Sequence, residues 1–146
     1  MKIRRMHSDE LETVLQLWRI TSAATYDFLN TSHTEEEDRG YFTTVVAAEN
    51  QLWVAETEGQ ILGFLAINGS YVDRLYIHPE HQRKGIGATL LAHAKTLSPS
   101  GVELCTHVKN VNACVFYEKQ GFVAVRYGVS PPPESEPDVE YHWRPS

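Results

Sequence analysis

Apolar positions along this chain follow two spacings, one typical of strands and the other of helices. Residues 71–77 are rich in β-branched and aromatic side chains and predict a strand that ends at Pro79, a residue that cannot donate to a ladder. Beyond it, apolar side chains recur every three or four positions and predict a helix, at Ile86, Leu90, Leu91, Ala94 and Leu97. The chain therefore passes from strand to helix through a short polar stretch that contains two glycines.

The same two patterns divide the rest of the sequence. Helical spacing predicts helices near the amino terminus, over about residues 34–48 and over residues 112–119. Strand patterns are found at Ile3 and over residues 52–55, 61–67, 102–108, 122–127 and 139–143. Helices interleaved with hairpins predict a single α/β domain over residues 1–146, with a sheet of mixed direction.

Composition narrows the class of protein. The chain has 146 residues, 42% of them hydrophobic, and is long enough to bury a core without disulfides or metal. A net charge of −6 argues against nucleic acid as a partner. The negative charge either attracts cationic substrates or serves only solubility. No apolar run is long enough to span a membrane, and the charged amino terminus is not followed by the apolar stretch of a secretory signal. We therefore expect a cytoplasmic protein. Cys105 and Cys114 lie in apolar patterns and are expected to be buried thiols.

The two glycines of the strand-to-helix turn, Gly85 and Gly87, suit a bound pyrophosphate. Amides in the first turn of a helix lack intrahelical acceptors, the helix dipole favours an anion there, and glycine lets a phosphate approach the main chain. A P-loop is excluded because the glycines are too close together and no Lys-Ser/Thr pair follows. A dinucleotide fingerprint fits weakly, since Leu90 stands where a third small residue is required.

Two ordered motifs identify a different class of phosphate ligand. The first is a Gln-x-x-Gly-x-Gly run after a strand, filled by Gln82-Arg83-Lys84-Gly85-Ile86-Gly87-Ala88. The second runs from Asn110 to Phe122, with Phe116-Tyr117 in a predicted helix and Gly121-Phe122 opening the next strand. Together they resemble the acetyl-CoA signature and the following motif of the GNAT superfamily of N-acetyltransferases, closely over about residues 50–127. The resemblance implies a GNAT-like fold, with a mostly antiparallel sheet of about six or seven strands and about four helices.

The resemblance also implies a ligand and the residues that hold it. The protein would transfer an acetyl group from acetyl-CoA to a primary amine by direct attack in a ternary complex. The backbone of Leu75, Tyr76 and Ile77 would pair with the pantetheine arm, and an amide near Ile77 would face the thioester oxygen. Asn110 would contact the same arm, with helix capping as its alternative role. The pyrophosphate would be held by the turn, whose residues are Gln82, Arg83, Lys84, Gly85, Ile86, Gly87 and Ala88.

By the same resemblance, Tyr117 is the candidate general acid that protonates the departing thiolate; its alternative role is that of a core aromatic side chain. Asp73 and His107 are candidates for the base that takes a proton from the amine, and each has a structural alternative. Water is a third candidate for the base. No histidine shows metal-ligand spacing, so no metal is predicted.

The sequence does not identify the acceptor of the acetyl group. Candidate pocket residues are Trp18, Tyr26, Phe28 and Leu29, and the acceptor is a small-molecule amine, a peptide amino terminus or a protein lysine. The oligomeric state is either monomer or homodimer. Two other classes of protein remain as alternatives: a non-catalytic acyl-CoA-binding or sensing module, and an interaction protein that docks through the loop at Pro131, Pro132 and Pro133.

Overall fold

The computed structural model of the protein describes residues 1–25 and 33–146. Within these residues the strands are β1 Lys2–Arg5, β2 Gln51–Thr57, β3 Gln60–Asn68, β4 Tyr71–Ile77, β5 Val102–His107, β6 Val123–Val129 and β7 Pro137–Trp143. The helices are α1 Leu11–Thr25, α2 Glu35–Tyr41, α3 Ala47–Glu49, α4 Ile86–Leu97 and α5 Val111–Lys119. A π-helical segment, Phe42–Val46, joins α2 to α3, so the described helices form four continuous stretches. The predicted α/β fold class is confirmed.

All seven strands lie in one sheet, in the order β1-β2-β3-β4-β5-β7-β6. Every neighbouring pair is antiparallel except β4 and β5, which are parallel. The interior strand β3 is apolar at consecutive positions because both of its faces are covered. Phe64 and Ala66 belong to one hydrophobic cluster, and Leu65 and Ile67 belong to the other.

Helices cover both faces of the sheet. One face, called here the α1 face, carries α1 and the α2–α3 stretch, which bury Val14, Leu15, Leu17, Phe42 and Val46 against β2 and β3. The opposite face, the α4 face, carries α4 and α5, which bury Ile86, Leu90, Leu91, Ala94 and Tyr117. Among the described residues, no helix is long and apolar enough to cross a membrane.

Local sequence explains where several elements begin and end. Thr34 caps α2 in a reciprocal box: its Oγ1 accepts from Glu37 N at 3.1 Å, and its N–H donates to Glu37 Oε1 at 2.8 Å. The β2–β3 hairpin turns at Glu58 and Gly59, with φ angles of 50° and 79°. Positive φ at both central residues is what a tight hairpin turn requires, and this confirms the predicted turn.

The expectation that both cysteines are buried is wrong for Cys105, which is exposed. Its neighbour Leu104 is buried under the helices of the α4 face. Because side chains alternate along a strand, Cys105 points to the α1 face instead. Both cysteines are free, and Cys114 is partly buried on α5.

Candidate functional site

The candidate site begins where two neighbouring strands separate. β4 and β5 run parallel but pair only through Tyr71 and Val72 of β4, although both strands continue further. Each keeps its other neighbour, because β3 follows β4 to its end and β7 follows β5 throughout. A wedge, defined here as the gap between residues 73–77 of β4 and residues 105–107 of β5, therefore opens in the middle of the sheet.

The backbone of β4 directs polar groups into this wedge at alternate residues. His78 N donates to Leu62 O at 2.9 Å, just beyond the last residue of β4. In an antiparallel ladder, hydrogen-bonded and non-hydrogen-bonded pairs alternate, so the N–H and C=O of Tyr76 also point to β3. The N–H and C=O of Leu75 and Ile77 consequently point the other way, into the wedge. Of the three predicted backbone positions, these two have the orientation needed to pair with an incoming extended chain.

The turn between β4 and α4 is built on left-handed backbone conformations. Gln82 ties the turn to the strand, because its Nε2 donates to Ile77 O at 3.0 Å. Arg83 and Gly85 then adopt φ angles of 65° and 84°. Thr89 N donates to Gly85 O at 3.0 Å and closes the first turn of α4. The amides that precede Thr89 lie at the positive end of the helix dipole, beside the wedge, in a position suited to an anion.

The two glycines of the turn have different roles. A Cβ added to Gly85 would meet nothing within 4 Å, so this glycine serves the positive φ and leaves open space in front of the turn. A Cβ added to Gly87 would lie 3.3 Å from Phe116 Cζ and 3.6 Å from Ile77 Cγ1. Gly87 therefore allows α4 to pack closely against α5 and β4, a role that sequence reasoning missed because Phe116 is distant in the chain.

The turn and the residues before it carry positive charge and a histidine pair. Arg83 and Lys84 are exposed. His78, Glu80 and His81 bring possible metal-ligand atoms within 4.8 Å of one another. One nitrogen of each ring is engaged, since His78 Nδ1 accepts from Glu80 N at 3.1 Å and His81 Nδ1 lies 3.4 Å from Lys84 Nζ. The neighbouring ammonium disfavours a metal cation here, and the expectation of no metal stays a prediction.

Tyr117 lies on α5 with its ring among other aromatic side chains. Its ring centroid is 5.2 Å from that of Phe116, 5.8 Å from that of Phe122 and 6.1 Å from that of Tyr141. The residue is 8% exposed. Since Phe116 reaches the backbone of Gly87, α5 lies beside the start of α4 and the end of β4. Tyr117 is thus on the helix that borders the wedge, and its role as general acid stays a prediction.

Asn110 and His107 lie just before α5. Asn110 is the N-cap of that helix, because its Oδ1 accepts from Ala113 N at 3.2 Å, so the capping role suggested by the sequence is realised. His107 ends β5, with its Nε2 3.7 Å from a carboxylate oxygen of Glu134. Its backbone oxygen lies 3.8 Å from Cys114 Sγ. His107 therefore lies against the loop that precedes β7.

Asp73 occupies a β-bulge at the start of the wedge. It is the extra residue of β4, inserted between two residues that pair with consecutive residues of β3. Asp73 Oδ2 accepts from Asn50 Nδ2 at 3.2 Å and lies 3.7 Å from Arg74 Nε. One hydrogen bond and one ion pair thus hold the carboxylate at the end of α3, on the α1 face.

Of the predicted acceptor-pocket residues, the structure describes Trp18, whereas Tyr26, Phe28 and Leu29 lie outside the described residues. The Arg74 guanidinium lies 5.1 Å from the ring centroid of Trp18 and 5.7 Å from that of Tyr41. Such distances are typical of cation–π contacts. Trp18 therefore helps to fix Arg74 on the α1 face, next to Asp73.

Two cavities open on the α1 face near the start of the wedge. The smaller, named here the bulge cavity, has a volume of about 130 Å³ and is lined by Tyr41, Val45, Glu49, Asn50, Asn68, Tyr71 and Asp73. The larger, the β6 cavity, has a volume of about 260 Å³ and is lined by Cys105, Arg126, Tyr127, Gly128, Val129, Asp138 and Glu140. Tyr71 and Cys105 lie between the two. Burial, with the nearby Cys105, raises the pKa of Tyr71, so its phenol stays protonated.

Sequence reasoning missed most residues of these cavities. Apart from Asp73, the lining residues of the bulge cavity were not predicted, and no local motif marks them. They come together only because α3 packs beside the β3–β4 connection, which is a consequence of tertiary structure.

Comparison with known proteins agrees with this geometry. Residues 48–124 match the acetyltransferase (GNAT) domain family. Peptidyl-lysine N-acetyltransferase YjaB of Salmonella typhimurium is 35% identical over 123 residues, which are 84% of this chain and 83% of that protein. The solution structure of apo-form YjaB from Escherichia coli has a TM-score of 0.78 and 29% identity, covering 97% of this chain and 96% of that one. PaiA N-acetyltransferase from Thermoplasma acidophilum, solved in complex with coenzyme A, shares the fold, with a TM-score of 0.76, 23% identity and coverage of 99% and 98%.

Proposed function

Because this chain belongs to the GNAT superfamily of acetyltransferases, we propose that it transfers the acetyl group of acetyl-CoA to the side-chain amine of lysine in peptides or proteins. The observation that carries this proposal is the wedge between β4 and β5 with the glycine turn at its end. The lysine acceptor is supported by the YjaB relative, whose name specifies peptidyl-lysine. It is also supported by the open α1 face, where two shallow cavities leave room for a chain rather than enclosing a small molecule.

The wedge and the turn suit the two chemically distinct parts of acetyl-CoA. The pantetheine arm carries amide groups, which would pair with the N–H and C=O of Leu75 in the wedge, while the N–H of Ile77 remains for the thioester oxygen. The diphosphate would lie against the amides from Arg83 to Ala88, where the helix dipole favours an anion. Arg83 and Lys84 would add charge-assisted contacts to the phosphates.

The acceptor would approach from the opposite side of the sheet. The glycine turn begins α4 and so lies toward the α4 face, whereas Asp73 and both cavities lie on the α1 face. An acetyl group held in the wedge would be open to attack from that side. This arrangement supports direct transfer in a ternary complex, in which the amine first adds to the carbonyl carbon and the carbon–sulfur bond of the resulting tetrahedral intermediate then breaks.

Three groups of this chain would serve the transfer. Asp73 would accept the proton that the lysine amine must lose, through a water molecule. The N–H of Ile77, which faces the wedge, would stabilise the oxyanion of the tetrahedral intermediate. Tyr117 would donate its phenolic proton to the departing thiolate and recover a proton from solvent, so that coenzyme A leaves as a neutral thiol.

A thiol-release assay tests the proposed function. The acceptor is a peptide with one lysine and an acetylated amino terminus, compared with free-amine peptides that lack lysine and with small amines. We expect release of coenzyme A and a mass increase of one acetyl group on the lysine peptide. Binding of acetyl-CoA without thiol release for any amine would instead indicate a non-catalytic acyl-CoA-binding module.

The base is tested by replacing its two candidates separately. Asp73→Asn is expected to lower kcat/KM by roughly 100-fold, because a positioned base contributes on that order. His107→Gln is expected to have a much smaller effect, since His107 faces the loop at Glu134 rather than the bulge cavity. The comparison is made over a full pH range, with protein stability measured for each variant. A larger loss for His107→Gln would assign the base to His107, and equal small losses would leave water in that role.

A further inference from the structure

The bulge cavity has the chemistry of a site for a cation. Its ionised lining groups are both carboxylates, Glu49 and Asp73. The remaining polar lining groups are two amides and two phenols, all of which have oxygen atoms that accept hydrogen bonds from an ammonium or guanidinium group. Tyr71 is also 40% exposed, so its ring is accessible to a cation, whereas the ring of Tyr41, which is 46% exposed, already has the Arg74 guanidinium 5.7 Å from its centroid.

The negative charge of this cavity is only partly balanced by the protein. Asp73 has a neighbouring cation, since Arg74 Nε lies 3.7 Å from its carboxylate, and Arg74 is itself packed on the rings of Trp18 and Tyr41. Glu49, at the end of α3, has no ion-pair partner among residues 1–25 and 33–146. One uncompensated carboxylate therefore remains at the cavity and attracts a positive charge from outside.

The occupant of this cavity is unlike the amine that reacts. Attack on a thioester requires a neutral amine, whereas neighbouring carboxylates stabilise the protonated form of an amine. Asp73 is proposed as the base for the reacting amine, so Glu49 is the carboxylate of this cavity that is left for a charge that is kept through the reaction. A permanently charged arginine or a second lysine has that property at neutral pH.

The bulge cavity lies next to the opening of the wedge. Asp73 follows Val72, which is the last residue of β4 that pairs with β5, so the cavity borders the point where the wedge opens. Consecutive Cα atoms are about 3.8 Å apart. The residue next to a lysine that enters the wedge from the α1 face would consequently lie beside the opening of the wedge, within reach of the bulge cavity.

We propose that the bulge cavity binds a basic side chain next to the target lysine, with Glu49 as its main charge partner, so that the enzyme prefers lysines flanked by arginine or lysine. This inference rests on the proposed function, because it assumes a lysine peptide as the acceptor. It goes further by assigning sequence specificity to residues outside the acetyl-CoA site.

The test uses three peptides that differ only at the residue beside one lysine: arginine, norleucine or glutamate. All three have an acetylated amino terminus, so that lysine carries the only reactive amine. We expect kcat/KM for the arginine peptide to exceed that for the norleucine peptide about fivefold, which is the upper range for an exposed ion pair. The glutamate peptide is expected to be the poorest acceptor. The preference is expected to shrink as the ionic strength is raised to about 1 M, where the Debye length is about 3 Å.

Two matched variants separate a local site from general attraction by an acidic protein. Glu49→Gln is expected to reduce the arginine-to-norleucine ratio to within about twofold of unity. Glu58→Gln removes the same charge at the β2–β3 turn, at the other end of β3 from Asn68, and is expected to keep the wild-type ratio. Equal kcat/KM values for the three peptides would overturn this inference alone. The same holds if Glu49→Gln and Glu58→Gln change the arginine-to-norleucine ratio equally. No acetylation of any lysine peptide would overturn the proposed function as well.

Discussion

Replacing Tyr117 by phenylalanine is expected to lower kcat by about 100- to 10,000-fold, the range that a positioned general acid contributes. The substitution removes only the hydroxyl that would protonate the thiolate. The ring contacts with Phe116, Phe122 and Tyr141 are retained, so the core around α5 is expected to persist. Affinity for acetyl-CoA, measured by calorimetry, should stay near the wild-type value, because the loss concerns the transition state.

The control for this substitution is Tyr127→Phe. Tyr127 lies on β6 and is 70% exposed, and although it lines the β6 cavity it has no role in the proposed proton transfer. Its kcat is expected to stay within about twofold of wild type, as surface substitutions have small effects. Thermal unfolding of both variants separates a catalytic loss from unfolding. A Tyr117→Phe enzyme that is folded and turns over at the wild-type rate would exclude Tyr117 as the general acid.

The second large effect is expected for Gly85→Val, which should weaken acetyl-CoA binding by about 10- to 100-fold. Gly85 has a φ of 84°, a region in which a β-branched residue is strained by about 1–3 kcal/mol. A turn that relaxes this strain would move the amides at the start of α4. In addition, the space in front of Gly85 is open and would be partly filled by the new side chain where the diphosphate is proposed to lie.

Gly59→Val provides a matched comparison for Gly85→Val. Gly59 has a φ of 79° and open space around its Cβ position, but it lies in the β2–β3 turn. Both variants are expected to lose stability to a similar extent, measured by chemical denaturation. Only Gly85→Val should lose affinity for acetyl-CoA, measured by calorimetry on the folded protein. Equal affinities for the two variants would show that the glycine turn does not hold the cofactor.

Features of the site that depend on neighbouring residues in the chain were predictable from the sequence. The strand before Pro79, the glycine turn and the helix after it have local signals, because turn chemistry and apolar spacing act over a few residues. The alternating Val139, Tyr141 and Trp143 likewise predict the last strand. Val139 and Tyr141 are buried, as a strand with one covered face requires.

Features that depend on contacts between distant segments were not predictable in this way. The wedge exists because β4 and β5 stop pairing after Val72, and no residue type marks the end of a parallel pairing. The bulge at Asp73 is visible only from the register with β3. The close packing of Phe116 on Gly87 has no local signal in the sequence. The role of Gly87 beside a phosphate stays a prediction. The expected burial of Cys105 is wrong because the apolar pattern of β5 does not show which of its faces the helices cover.

The most direct measurement of the central claim is an amide-resolved NMR titration of the protein with acetyl-CoA. The proposed binding mode predicts the largest chemical-shift changes at the amides of Leu75 and Ile77 in the wedge and from Arg83 to Ala88 in the turn. Smaller changes are expected at residues of β1, an edge strand that β2 and β3 separate from β4. Saturation with acetyl-CoA that leaves the wedge and turn amides unshifted would contradict the account.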